Sequence, residues 1–158
     1  MSTVPPKVAS HNSDADAAAL RLHHLLMDVV RASGLLETEQ AAPGHPLSLS
    51  QAFALHELDT GEALSQQELA NRLRLDKSSV SRLAAELQRR GLLVRQRDPG
   101  NRRTYRLVLT EAGRALHRDL GQVAHSRYVH WVRALSVPER EALLAGLPAL
   151  LRVIREVG

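Results

Sequence analysis

Apolar residues recur at helical spacing along most of the chain. Between residues 14 and 36, Leu22, Leu25, Leu26, Val29 and Val30 share one face, which predicts an amphipathic helix with Gly34 near its end. Residues 39–46 contain Pro43, Gly44 and Pro46 and read as a loop. Ser48 opens the next helix, with Gln51 three residues on as its capping-box partner. That helix passes through Phe53, Leu55 and Leu58 to about Asp59, and Gly61 breaks it. Ser65 and Glu68 form a second capping box, flanked by Leu64 and Leu69 at hydrophobic-staple positions. The short helix they start turns Leu69, Ala70 and Leu73 inward and ends near Arg74. Asp76 then caps a helix over 77–90, with Leu75 and Val80 as its staple and Gly91 as its stop.

The period then shortens. Residues 92–97 and 104–109 are rich in Val, Leu and Tyr, and Asp98-Pro99-Gly100-Asn101-Arg102-Arg103 lies between them. Pro presets φ and Gly accepts a positive φ, so this stretch predicts a β-hairpin with a basic tip. Thr110 is placed to cap a long helix through about Leu135, carrying Leu116, Leu120, Val123 and Trp131. Ser136 and Glu139 make another capping box. A final helix carries Leu143, Leu144, Leu147, Leu150, Leu151 and Ile154, with a kink expected at Pro148. A short helix and a second helix followed by a hairpin predict a winged helix-turn-helix, in a fold that is mainly α with a small β-hairpin wing (α+β).

Composition narrows the function. Hydrophobic residues make up 44% of the 158, but aromatic residues only 3%, so the core must be Leu, Val and Ala. No cysteine is present, which excludes disulfide scaffolds, thiolate metal sites and cysteine nucleophiles. No signal peptide or membrane span is expected, and a cytoplasmic location fits. The net charge of +4 is unevenly spread. Residues 1–64 hold three Lys or Arg against eight Asp or Glu, and residues 65–110 hold eleven against four. A basic block inside a folded region is the electrostatic footprint of a polyanion partner.

That block carries two candidate reading elements. On a helical wheel, Val80, Leu83, Ala84 and Leu87 form a buried face, and Ser78, Arg82, Ala85 and Arg89 lie opposite. Lys77, Ser79 and Ser81 flank them near the helix start. Short serines permit close approach to phosphates or base edges, an arginine can pair with guanine O6 and N7, and a helix N-terminus favours phosphate. At the hairpin tip, Arg102 and Arg103 suit a narrow, electronegative minor groove, or Arg103 pairs with Asp98 to hold the turn. A solvated amphipathic helix and a charged turn are the plain alternatives. The two elements within one short block weigh against them.

Leu64-Ser-Gln-Gln-Glu-Leu-Ala70, Leu75-Asp-Lys-Ser-Ser-Val-Ser-Arg-Leu83, Arg89-Arg-Gly-Leu92, and Asp98-Pro-Gly-Asn-Arg-Arg103 through Leu107-Val-Leu-Thr110 to Gly113 together resemble the MarR family of winged helix-turn-helix regulators. The matching motifs cover about residues 48–113. The resemblance implies a homodimer joined by the first and the last two helices, bound to double-stranded DNA. Residues 1–12 carry Pro5, Pro6, Ser and Thr with little periodicity and read as a disordered arm, and the resemblance implies an N-terminal dimerisation helix and loop over 13–46, a DNA-binding domain over 47–110 and C-terminal dimerisation helices over 111–158. It maps Lys77, Ser78, Ser79, Ser81 and Arg82 to the recognition helix, Ser65 and Gln66 to backbone phosphate contacts, and Arg102 and Arg103 to the wing. Arg89 is an addition from the wheel. Arg74 departs from the pattern, since many such turns carry Gly, and it suggests a turn without a positive φ.

The implied activity is that of a sequence-specific transcriptional regulator, a ligand-responsive repressor on a pseudo-palindromic operator. The alternative is a winged-helix module that binds protein. No nucleotide loop or suggestive carboxylate pair points to an enzyme. The resemblance also implies a small aromatic or acidic effector, for which His23, Met27, Phe53, Tyr128 and Trp131 are the candidate residues, with packing in the core or a dimer interface as the simpler role for Tyr128 and Trp131. No cofactor or metal is expected: His23 and His24 are adjacent, and His125 and His130 are five apart rather than at a shared helical face.

Overall fold

The computed structural model describes residues 9–34, 46–59, 61–101 and 104–157. The elements run α1 (Ala9–Ala32), α2 (Leu49–Leu58), β1 (Leu64–Ser65), α3 (Gln66–Leu73), α4 (Lys77–Arg89), β2 (Leu93–Arg97), β3 (Tyr105–Leu109), α5 (Glu111–Ala134) and α6 (Val137–Val157). This is a mostly helical winged helix with one three-stranded antiparallel sheet of order β1-β3-β2. The chain forms two compact units, residues 1–53 and 54–158.

In the first unit, α1 begins at Ala9, so residues 9–12 are helical rather than part of an arm. Gly34 ends it at φ 70°, a left-handed position that costs glycine nothing. Most of the expected loop over 39–46, and residues 1–8 of the expected arm, lie outside the described residues. The Ser48 capping box forms as expected: Ser48 Oγ accepts from the Gln51 N–H at 3.2 Å, and Gln51 Oε1 accepts from the Ser48 N–H at 2.9 Å.

The second unit holds the winged-helix core. Its buried side chains come from every element of the motif: Leu55 and Leu58, Leu64, Leu69 and Ala70, Val80 to Leu87, Leu93, Leu107 and Leu109, and Leu116 at the start of α5. The wheel prediction for α4 holds, with Val80, Leu83, Ala84 and Leu87 all buried. β1 was not expected. Two residues suffice for it because Leu64 and Ser65 pair with Leu107 and Arg106 just before α3 begins. β2 pairs with β3 from Leu93↔Leu109 to Arg97↔Tyr105.

Two local expectations are corrected. Arg74 does have a positive φ, 53°. α3 ends in a Schellman-type turn, with Arg74 N–H bonded to the Asn71 carbonyl and Leu75 N–H to the Ala70 carbonyl. Those two bonds satisfy terminal carbonyls and hold a non-glycine residue in the left-handed region. Leu75, which follows that turn, is 36% exposed, and Val80 is fully buried. α6 runs unbroken through Pro148. Finally, only one arm of the third box forms as drawn, because Ser136 donates both its N–H and its hydroxyl to Glu139 Oε2.

Thr110 joins the wing to α5. Its hydroxyl accepts from the Gly113 N–H at 3.0 Å and donates to the Gly91 carbonyl at 2.6 Å, and its own N–H reaches the Leu92 carbonyl at 3.1 Å. A second tie links the end of α2 to α5. His117 Nδ1 lies 2.6 Å from Asp59 Oδ2, and its Nε2 lies 3.3 Å from His56 Nδ1.

Candidate nucleic-acid interface

α4 turns its apolar face into the core and leaves Lys77, Ser78, Arg82, Ala85 and Arg89 exposed, with Ser79 and Ser81 half-buried. Lys77 and Arg82 make no ion pair among the described residues. Arg89 has a partner within its own helix. Its Nε and a terminal nitrogen grip the Glu86 carboxylate at 2.9 and 2.6 Å, which holds Glu86 below the usual carboxylate range. That bidentate pair offsets the charge Arg89 would bring to a phosphate.

Asp76 is the N-cap of α4. Its carboxylate accepts from the Ser79 N–H at 2.8 Å, the Ser79 hydroxyl at 2.6 Å and the Ser78 hydroxyl at 2.5 Å. These hydroxyls, Ser78 first, hold Asp76 well below the usual carboxylate range. Ser65 and Gln66 stand at the start of α3. Ser65 Oγ accepts from the Glu68 N–H at 3.2 Å, and Ser65 N–H donates to Glu68 Oε2 at 2.7 Å. Gln66 Nε2 is buried with no bonding partner among the described residues.

The wing is anchored by a residue the sequence did not single out. Arg106 Nε donates to Asp98 Oδ2 at 2.6 Å, and one terminal nitrogen donates to Glu68 Oε2 at 2.9 Å and the Ala63 carbonyl at 3.0 Å. Asp98 also accepts from the Gly100 and Asn101 N–H groups, which shapes the turn. So Arg106 is the described partner of Asp98, and the expected Arg103 pairing lies outside the described residues. Arg106 sits on β3 eight residues after Asp98, and nothing in a linear pattern marks that pairing. Arg102 and Arg103 themselves lie outside the described residues. Three further exposed cations, Arg74, Arg95 and Arg97, make no ion pair among the described residues. Arg95 and Arg97 could have been found, since their two-residue spacing puts both on one side of β2.

The expected effector residues divide between the units. His23, Met27 and Phe53 lie in the first and are exposed. Tyr128 and Trp131 lie on α5 in the second, also exposed, so neither enters its core. Their rings meet edge to face at 5.5 Å, and the Arg127 guanidinium lies 5.7 and 5.4 Å from the two ring centres. Among the described residues no group of three or more His, Asp or Glu gathers as a metal site, and no helix is long and apolar enough to cross a membrane.

The family model described as the MarR family matches residues 45–104, the segment that holds α2 through the wing turn. The HTH-type transcriptional regulator TtmR of Methylorubrum extorquens is 31% identical over 106 residues, 67% of this chain and 53% of TtmR. The chain belongs to the MarR family. It spans about half the length of TtmR. Two solved structures carry the MarR-like fold across nearly the whole chain. Streptomyces coelicolor PcaV in complex with its natural ligand is 26% identical with a TM-score of 0.60, covering 99% of both chains. Streptococcus pneumoniae FabT in complex with DNA shares the fold at a TM-score of 0.78 and 18% identity, over 89% of this chain and 99% of that one.

Arg106 ties the wing turn at Asp98 to Glu68 in the first turn of α3. Arg106→Ala is expected to lower the thermal midpoint by a few degrees and speed amide exchange across β1 and the outer end of β3. The helical circular-dichroism signal should be unchanged. The pH sense follows from Asp98 and Glu68, both held low; Arg106 leads at Asp98 and adds to the Ser65 bonds at Glu68. Their contribution is complete above the unfolded carboxylate values and fades as pH falls through the lower folded ones. The gap between wild type and Arg106→Ala should therefore be full at neutral pH and close in acid. A gap that widens in acid would count against this ion-pair network.

Proposed function

We propose that this chain is a sequence-specific DNA-binding transcriptional regulator that acts as a homodimer on a pseudo-palindromic operator. One observation carries the reading. α4 presents Ser78, Arg82 and Ala85 outward on a helix fixed by four buried side chains, with Lys77 and Arg82 free of internal ion pairs among the described residues. Such a surface suits the major groove, where an arginine can take guanine O6 and N7 together. Arg95 and Arg97 on β2 add charge beside the tip occupied in sequence by Arg102 and Arg103, and these suit phosphates or the minor groove. FabT, a structure of the same fold, was solved on DNA.

The action is that of a repressor relieved by a ligand, in the cytoplasm. The ligand is a small aromatic or acidic molecule, and Tyr128 and Trp131 are the candidate residues for it in the second unit. The exposed Tyr128 and Trp131 rings beside Arg127 support this, as does the natural ligand of PcaV.

The test is a fluorescence-anisotropy titration on an operator duplex found by selection. Arg82→Ala should weaken specific binding by ~1–3 kcal/mol and relax base choice at one position in each half-site. A wing arginine changed to Ala should weaken all duplexes about equally. Binding that ignores Arg82→Ala, or that shows no dependence on salt, would favour a winged-helix module that binds protein.

A further inference from the structure

The start of α4 differs from an ordinary helix terminus in how its hydroxyl protons are spent. A serine hydroxyl owns one proton and two lone pairs. Ser78 gives its proton to Asp76 Oδ1 at 2.5 Å, and Ser79 gives its proton to Asp76 Oδ2 at 2.6 Å. Both carboxylate oxygens are thus engaged, and Oδ1 also takes the Ser79 N–H. An ionised carboxylate has no proton to return, and the bonds that hold Asp76 ionised keep the arrangement in force at any physiological pH. What remains on the outward side of Ser78 is a pair of lone pairs.

That changes what Ser78 can touch. A phosphate oxygen accepts and does not donate, so it has nothing to offer an oxygen whose proton is committed. The Asp76 charge beside it further opposes phosphate, outweighing the partial positive charge of about half a unit at the helix end. The sequence alone had left phosphate and base edges both open to the serines, and had read the helix start as favouring phosphate. In the major groove, the base groups that donate are the amino groups, N6 of adenine and N4 of cytosine.

We propose that Ser78 is a specificity-determining residue that reads an adenine or cytosine amino group as an acceptor, with Asp76 as the positioning residue that removes its donor capacity. This rests on α4 being the DNA-reading helix. Ser78 is exposed on the same outer face as Arg82, one turn further towards the helix start. The two residues read opposite chemistry at neighbouring positions: Arg82 donates to a guanine edge, and Ser78 accepts from an amino group. Ser79, half-buried on the flank, completes the grip on Asp76.

The experiment is selection from a randomised duplex library with wild type, Ser78→Ala and Asp76→Gly, scored as base frequencies at each position. Glycine is a tolerated N-cap, so Asp76→Gly should fold, and a thermal melt confirms it. Glycine removes both carboxylate oxygens, so the Ser78 hydroxyl is freed to donate. Wild type should restrict one position per half-site to adenine or cytosine on one strand. Ser78→Ala should lose that restriction by roughly three- to tenfold, the worth of a single hydrogen bond. Asp76→Gly should admit guanine or thymine at the same position and leave the guanine read by Arg82 intact. If wild type selects an operator and Ser78→Ala leaves every position unchanged, the inference is overturned while the DNA-binding reading stands. If wild type enriches no sequence at all, the DNA-binding reading falls and this inference with it.

Discussion

Gly113→Ala is expected to destabilise the protein by about 3 kcal/mol or more, although the change would stabilise an ordinary helix. Gly113 lies in the first turn of α5, where alanine propensity alone favours the substitution by up to ~1 kcal/mol. The space around it decides the sign. A Cβ at Gly113 would sit well inside contact distance of the Leu92 carbonyl oxygen, with the Leu92 carbonyl carbon at 3.1 Å and Leu109 Cδ2 at 3.3 Å. The obstructing atom is backbone, and it cannot swing aside as a side chain would. It accepts the Thr110 N–H, while Thr110 also binds the Gly91 carbonyl and caps Gly113 itself. Relief must therefore move the start of α5 away from the wing or break the cap. Gly121, on the same helix, has nothing within 4 Å of the equivalent Cβ. Gly121→Ala should thus leave stability unchanged or raise it by up to ~1 kcal/mol. Urea melts of the two variants make the comparison. If Gly113→Ala melts like Gly121→Ala, the close approach of α5 to Leu92 is not a constraint of the fold.

Gly113 also shows how far the sequence could be read. Its place in the family pattern was visible, but its reason was not, because the Leu92 carbonyl arrives from another element. The same division runs through the molecule. Caps at Ser48, Ser65, Asp76 and Thr110 were legible because a cap is a contract between residues three apart. The buried face of α4 was legible because Val80, Leu83, Ala84 and Leu87 repeat at the helical period. Features set by a turn's geometry were not. Arg74 was expected to avoid a positive φ because it is not glycine, yet two backbone bonds hold it at 53°. α6 continues through Pro148 as one helix, with the proline about 120° around from the centre of the apolar stripe. The candidate site followed the same rule. Its outer face could be named residue by residue, but not which members were already engaged. Glu86 holds Arg89, Asp76 holds two serines and Arg106 holds Asp98, and each pairing depends on side-chain geometry that charge counting does not contain.

Leu147→Glu together with Leu151→Glu is expected to convert a dimer to monomer and to abolish tight operator binding. α6 is a 21-residue helix in which no residue is buried. Leu143, Leu147, Leu151 and Ile154 stand 45 to 50% exposed, and helical spacing puts them with Leu150 on one stripe. A helix this apolar on one face does not stay in water without cost, since each such side chain gains about 1.5–3 kcal/mol on full burial. A second copy of the chain is the occupant that the proposed function requires. In a two-fold interface every substitution counts twice, and a glutamate without a partner there pays desolvation on top of the lost burial. The double change should therefore exceed the free energy of a micromolar dimer, about 8 kcal/mol. The opposite face supplies the control. Arg152 and Glu156 pair across one turn at 3.2 Å, both exposed, so Arg152→Ala should leave the assembly intact. Sedimentation equilibrium reads the mass directly. The DNA consequence follows from geometry: two recognition helices must reach half-sites ~34–36 Å apart, and a monomer reaches one. The logarithmic salt slope of binding should then fall by about half, because half the phosphate contacts are lost. A Leu147→Glu, Leu151→Glu protein that remains dimeric would move the interface off this stripe. One that is monomeric yet keeps wild-type affinity and salt slope would separate dimerisation from DNA reading altogether.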